Sequence, residues 1–175
     1  MRGWLIAIAL MLMGIPATAQ EPPADPLVPF DRLVGHSWRG EPIAPGGRDV
    51  DVQKWERILG GKAIRVTHSI NDGAYGGETI IYAEKGGALV YYYFTTGGFM
   101  THGRFAPAAD GSLVAEEEVT GHPEITRVRS TLRFMGPDGS HEVTSEYLKS
   151  GGWVPGHGFR YRPADGIEPR WQPAR

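Results

Sequence analysis

The chain has 175 residues, sets 18 Lys and Arg against 20 Asp and Glu for a formal net charge of −2, and contains no cysteine. That balance argues against a nucleic-acid or anionic-membrane footprint. The missing cysteines exclude disulfides, zinc–thiolate sites and thiol catalysis together.

Arg2, an apolar run from Trp4 to Ile15 and then Ala17-Thr18-Ala19 have the layout of a secretory leader cleaved after Ala19. The run is too short for a membrane span, and no cysteine follows the site to take a lipid anchor. The protein is therefore expected to be exported, to the periplasm or outside the cell. The remaining chain is of a size that builds one domain with its own core. Glu21 to Pro29 holds four prolines in nine residues, so 20–29 reads as a linker. The folded domain is expected over 30–163 and a tail over 164–175.

Within the domain, "FDRLVG" (30–35) offers a single helical turn, and a strand opens at Trp38. Glycine pairs at 46–47, 60–61, 76–77, 86–87, 97–98 and 151–152 punctuate the rest of the domain. "KAIRVTHSI" (62–70) alternates strictly, with Ile64, Val66, His68 and Ile70 on one face. A period of two is a half-buried strand, so His68 is expected inside. A turn at Gly60-Gly61 sets Glu56 against Arg65 outside, and Trp55 against Val66 and Gln53 against His68 inside. It leaves Val50 and Val52 facing out, which predicts a bulge nearby.

Turns centred on Gly86-Gly87 and Gly97-Gly98 place Val90, Tyr92, Phe94, Thr101 and Phe105 inside, and Tyr82, Tyr91, Tyr93, His102 and Arg104 outside. Glu117 shares the inner face with Leu113, Ala115 and Val119. Around Pro137-Asp138, Arg133 faces Glu142, Arg129 faces Glu146 and Thr131 faces Thr144, while Leu132 pairs with Val143 and Val128 with Tyr147. No window sustains helical spacing. About ten strands joined by short hairpins expose two edges unless they close, so the fold class is all-β and an up-and-down barrel is expected.

The opening "FDRLVGHSWRGE" (30–41) resembles that of calycin barrels. Lipocalins begin their first strand with Gly-x-Trp and cover the indole with a basic residue of the last strand. Here Gly35 and Trp38 lie one residue further apart, and Trp38-Arg39-Gly40 is closer to the nitrobindin opening. The last strand, "GFRYRP" (158–163), offers Arg160 or Arg162 as the cover. The chain also resembles an uncharacterised family of exported bacterial lipocalin-like proteins. That likeness rests on the hairpin Ile58 to Lys62 and on Gly152-Trp153. The resemblance implies a barrel with one closed and one open end. Nitrobindin-like barrels bind haem iron through a histidine near the C-terminus, which would be His157.

The residues expected to line a cavity for a small, largely apolar molecule are Trp55, Val66, His68, Tyr92, Phe94, Phe105, Glu117 and Tyr147. A His68–Glu117 contact would satisfy both groups. The bland alternatives are a filled core holding His68, and a loop histidine at His157. No cofactor is expected, with haem on His157 as the alternative. His36, His68, His102, His122, His141 and His157 form no His-x-His or His-x-x-x-His pair, and neither His-Glu-x-x-His nor Gly-x-Ser-x-Gly occurs. Two other classes stay open. One is an enzyme using the same cavity, as some calycin-like cyclases and decarboxylases do. The other is a structural or homo-oligomeric module acting through an outer stripe of Tyr82, Tyr91 and Tyr93, with Arg104 across from Tyr91. Trp171 in the tail either folds back onto the barrel or hangs free.

Overall fold

The computed structural model describes residues 25–173. The leader read at 1–19 and the start of the linker lie outside them. The strands are β1 (Ser37–Pro42), β2 (Asp51–Ile58), β3 (Ala63–Ile70), β4 (Tyr75–Ala83), β5 (Leu89–Thr95), β6 (Met100–Pro107), β7 (Leu113–Thr120), β8 (Arg127–Phe134), β9 (His141–Lys149) and β10 (Gly152–Pro163). Each pairs antiparallel with the next, and β1 closes on β10. Closure removes both edges, the solution that a run of short hairpins requires. Among the described residues no helix is long and apolar enough to cross a membrane.

Two hairpins have the register that the charges and apolar positions predict. Gln53, Trp55 and Glu56 face His68, Val66 and Arg65. Val128, Arg129, Thr131, Leu132 and Arg133 face Tyr147, Glu146, Thr144, Val143 and Glu142. Glu56 and Arg65 bond directly across the first hairpin at 2.8 Å, whereas in the second the ion pairs form sideways. Arg129 reaches Glu116 at 2.8 Å and stands 3.9 Å from Glu146, while Arg133 binds Asp110 and Glu142 binds Arg160.

The predicted facing of β5 is wrong by one residue. Both of its hairpins close around three-residue loops, 85–87 and 96–98, bracketed by the bonds Glu84 N–H to Ala88 O and Thr95 N–H to Phe99 O. The third loop residues, Gly87 and Gly98, have φ of +87° and +80°, the left-handed position such loops demand. A one-residue slip turns every side chain to the other face. Tyr91 therefore sits opposite Gly103 and Tyr93 opposite Thr101, both facing inward, while Tyr92 and Phe94 face outward. The proposed outer stripe of Tyr82, Tyr91 and Tyr93 accordingly does not exist. Arg104 pairs across with Val90 and binds Glu84, not Tyr91. The bulge expected near Val50 and Val52 is absent too, because β2 and β3 keep one register from Asp51 to Ile58. A bulge falls instead in β10, between Pro155 and Gly158.

The segment before β1 plugs one end. Leu27, Phe30 and Leu33 are fully buried, and Phe30 stacks on Trp55 and stands edge-on to Phe105. Arg57 holds the plug from outside through Asp25 and Asp31. Trp38 is buried here and donates its indole N–H to Leu33 O at 3.1 Å. Its cover is not the predicted arginine. Arg160 is engaged with Glu142, Arg162 is exposed, and the ring against the indole is that of His141, 5.0 Å away.

His141 has no exposed surface and stacks on Tyr161; its Nδ1 contacts Gly139 O, and Nε2 has no partner. A protonated ring would strand that second N–H in an apolar site, so burial holds its pKa down to about 4 from 6.5. The unfolded chain takes up this proton near the ordinary value and the folded chain only near the lowered one. Stability from this group is thus complete above the ordinary value and drains as pH falls towards 4. The gap corresponds to about 3 kcal/mol. Urea unfolding near neutrality and at pH 4 should show most of that loss, and His141→Phe should abolish it. Equal losses in variant and wild type would mean the folded ring is not held neutral.

The tail folds back rather than hanging free. Lys54 binds Glu168, Ser69 Oγ accepts Arg170 N–H, and the Trp171 indole donates to His68 O. It runs behind β2 and β3, and Ser69 is buried.

Candidate functional site

Between the plug and the far rim lies a cavity of about 660 Å³. Of the eight predicted lining residues, Trp55, Val66, His68, Phe105, Glu117 and Tyr147 do line it. Tyr92 and Phe94 do not. Tyr92 stacks on His102, Phe94 is half-exposed, and Tyr91 and Tyr93 take their places inside.

Asp51 was not anticipated from the sequence. This carboxylate is buried at 2% exposure on the inner face of β2. It accepts the Tyr161 hydroxyl at 2.6 Å and lies 3.1 Å from His68 Nδ1, with the Gln53 amide at 3.4 Å. His68 Nε2 meets the Tyr93 hydroxyl at 2.7 Å, and Tyr93 meets Tyr75 at 3.0 Å. The imidazole thus touches Asp51 and Tyr93, not Glu117 as expected. Two proton placements satisfy the chain. A neutral ring donates from Nδ1 to Asp51 and accepts from Tyr93; a protonated ring donates to both, and Tyr93 then donates to Tyr75. Burial pushes the Tyr93 phenol far above its usual range, with Tyr75 and Asp51 adding to the effect. The phenols therefore act as neutral donors.

Glu117 forms a second polar group on β7. Thr101 and Ser130 donate their hydroxyls to its two oxygens, and the Tyr91 hydroxyl bears on it as well. Burial raises its pKa, and the three hydroxyls work against that rise.

Bare glycines build both groups. Gly40 lies between Tyr161 and Asp51 in the sheet, and Gly103 lies between Tyr91 and Glu117. A Cβ on Gly40 would stand 2.5 Å from the Tyr161 ring, and one on Gly103 would stand 2.6 Å from the Tyr91 oxygen. Each tyrosine lies flat across a glycine to reach a carboxylate two strands away. Gly77 does the same under Tyr93, which reaches His68.

The rim carries Asn71, Phe99, His122 and His157. His122 Nδ1 accepts the N–H groups of Glu124 and Ile125. His157 sits on the β10 bulge rather than in a loop, exposed, between Tyr147 and Phe159. Among the described residues no cluster of three or more His, Asp or Glu is placed to hold a metal ion.

Ten antiparallel strands in sequential order, closed around a one-ended cavity, are consistent with a calycin-like fold. No family model matches the chain, and no curated protein matches its sequence.

Proposed function

We propose that this is an exported barrel that holds a small, largely apolar molecule non-covalently in its interior. The observation that carries the reading is the cavity itself. Its volume of about 660 Å³ lies within the range of small-molecule pockets, which are mostly apolar with a few placed polar groups. Trp55, Phe105 and Phe159 supply apolar wall, and the Asp51 and Glu117 groups supply orientation. Native mass spectrometry of the protein secreted by an exporting host should show an added mass that disappears on denaturation. A bare chain mass, with no apolar probe bound in titration, would overturn the reading.

A second reading, catalysis in the same cavity, is favoured by His68. One of its nitrogens is oriented by a buried carboxylate and the other is shared with a phenol, as in a positioned general base. Conversion of the captured molecule by wild type and not by His68→Gln would move the protein into that class.

A further inference from the structure

The geometry points to a ligand that carries a protonated nitrogen: the cavity selects an apolar amine or ammonium and rejects carboxylates and phosphates. This inference rests on the binding reading above and adds the charge of what is bound.

The cavity holds carboxylates without holding lysine or arginine, and of its three histidines His68 bonds to Asp51 while His122 and His157 stand at the rim. Asp51 and Glu117 face its interior and Asp49 its rim, and no Lys or Arg is among the lining residues. The described arginine and lysine ion pairs lie on the outer surface, as in Arg129 with Glu116. Asp51 has a partner able to carry positive charge, His68. Glu117 has none among the described residues. It is 8% exposed, and its partners are the neutral hydroxyls of Thr101, Ser130 and Tyr91.

A carboxylate presents about four acceptor positions. Three hydroxyls take up fewer than that, and Glu117 lines the cavity. A buried carboxylate without a cation is costly, and a ligand ammonium offsets that cost while making the stronger, charge-assisted bond. Tyr91 reaches Glu117, and its ring stands 4.6 Å from that of Phe105; aromatic faces attract cations further. An anionic ligand would meet like charge on Glu117 and find the nearby hydroxyls already donating to it. It would find no lysine or arginine to offset its own desolvation.

Three probes of one shape test this: 2-naphthylmethylamine, 2-naphthalenemethanol and 2-naphthoate, titrated calorimetrically near neutral pH. The amine should bind roughly ten- to a hundredfold tighter than the alcohol, the worth of one charge-assisted hydrogen bond. The carboxylate should bind more weakly than either. Glu117→Gln, which keeps the side-chain shape, should erase most of the amine's advantage over the alcohol. If the alcohol or the carboxylate binds as tightly as the amine, the charge selection is wrong and the apolar-binding reading stands. If none of the three binds, both fall. An amine preference that survives Glu117→Gln removes that residue as the counter-ion. The wild-type series decides the charge class even should the variant fail to fold.

Discussion

Replacing Asp51 with alanine is expected to cost about 3–5 kcal/mol of folding stability, read as a lowered urea midpoint at unchanged slope. The carboxylate is 2% exposed and is met from three strands: by Tyr161 on β10, His68 on β3 and Gln53 on its own β2. Deleting it strands the Tyr161 hydroxyl, itself buried at 2%, and frees the imidazole from its orienting partner. Neither group finds water in its place. Asp51→Asn keeps an acceptor for Tyr161 and should lose less, since a stranded donor costs more than a weakened bond. A loss below about 1 kcal/mol for the alanine variant would show that water enters and satisfies both groups. The network would then be a wet pocket wall and not part of the folded frame. The same comparison weighs His68. Both of its nitrogens are engaged and it lines the cavity, so a core histidine and a cavity handle are one residue here.

The parts of this site that were legible in the sequence depended on turns. At 128–147 the turn centre was clear and charged residues marked the outer face, so Leu132, Val128 and Tyr147 were placed correctly. At Gly86-Gly87 and Gly97-Gly98 two adjacent glycines left the loop length open, and loops of three residues instead of two exchanged Tyr91 and Tyr93 for Tyr92 and Phe94. Asp51 was missed for a different reason. The hairpin register at Gly60-Gly61, followed strictly, puts Asp51 on the inner face with Gln53 and Trp55. Expecting valine inside made that look like an error and called for a bulge. What makes a buried carboxylate tolerable at Asp51 is Tyr161, 110 residues further on, and no local pattern contains that partner. The tail supplies the other half of the answer. Val52 can face outward because it stands opposite Ser69, the residue on which the tail docks. The isolated glycines were legible as sequence but not as function. Gly40 and Gly103 interrupt strands where a side chain would ordinarily help, and only the closed barrel shows a tyrosine lying across each.

Phe30→Ala is expected to lower stability by about 3–5 kcal/mol and to change what the cavity accepts. Phe30 has no exposed surface, and its ring stands 5.8 Å from that of Trp55 and 5.3 Å from that of Phe105, both cavity-lining residues. It therefore backs the cavity floor formed by Trp55 and Phe105, as well as being the centre of the plug. The sequence marked only a turn at this point, because a plug is defined by the barrel end it fills. Truncating the ring opens space beneath Trp55 and Phe105. Packed surroundings relax into such a space only in part, so some of it should join the cavity. Neutral n-alkanols of increasing length measure this without involving Glu117 or Asp51 in charge recognition. The longest alcohol that binds Phe30→Ala should exceed the longest that binds wild type, even as the variant melts earlier. Phe30→Leu removes less volume and should shift both quantities in the same direction by less. If stability falls while the length limit stays put, the plug has collapsed inward or the ligand never reaches the floor, and the bound molecule must be sought nearer the rim, between Tyr147 and His122. A moved limit would fix the ligand's apolar end at the floor that Phe30 backs, with any polar end turned towards the carboxylates above it.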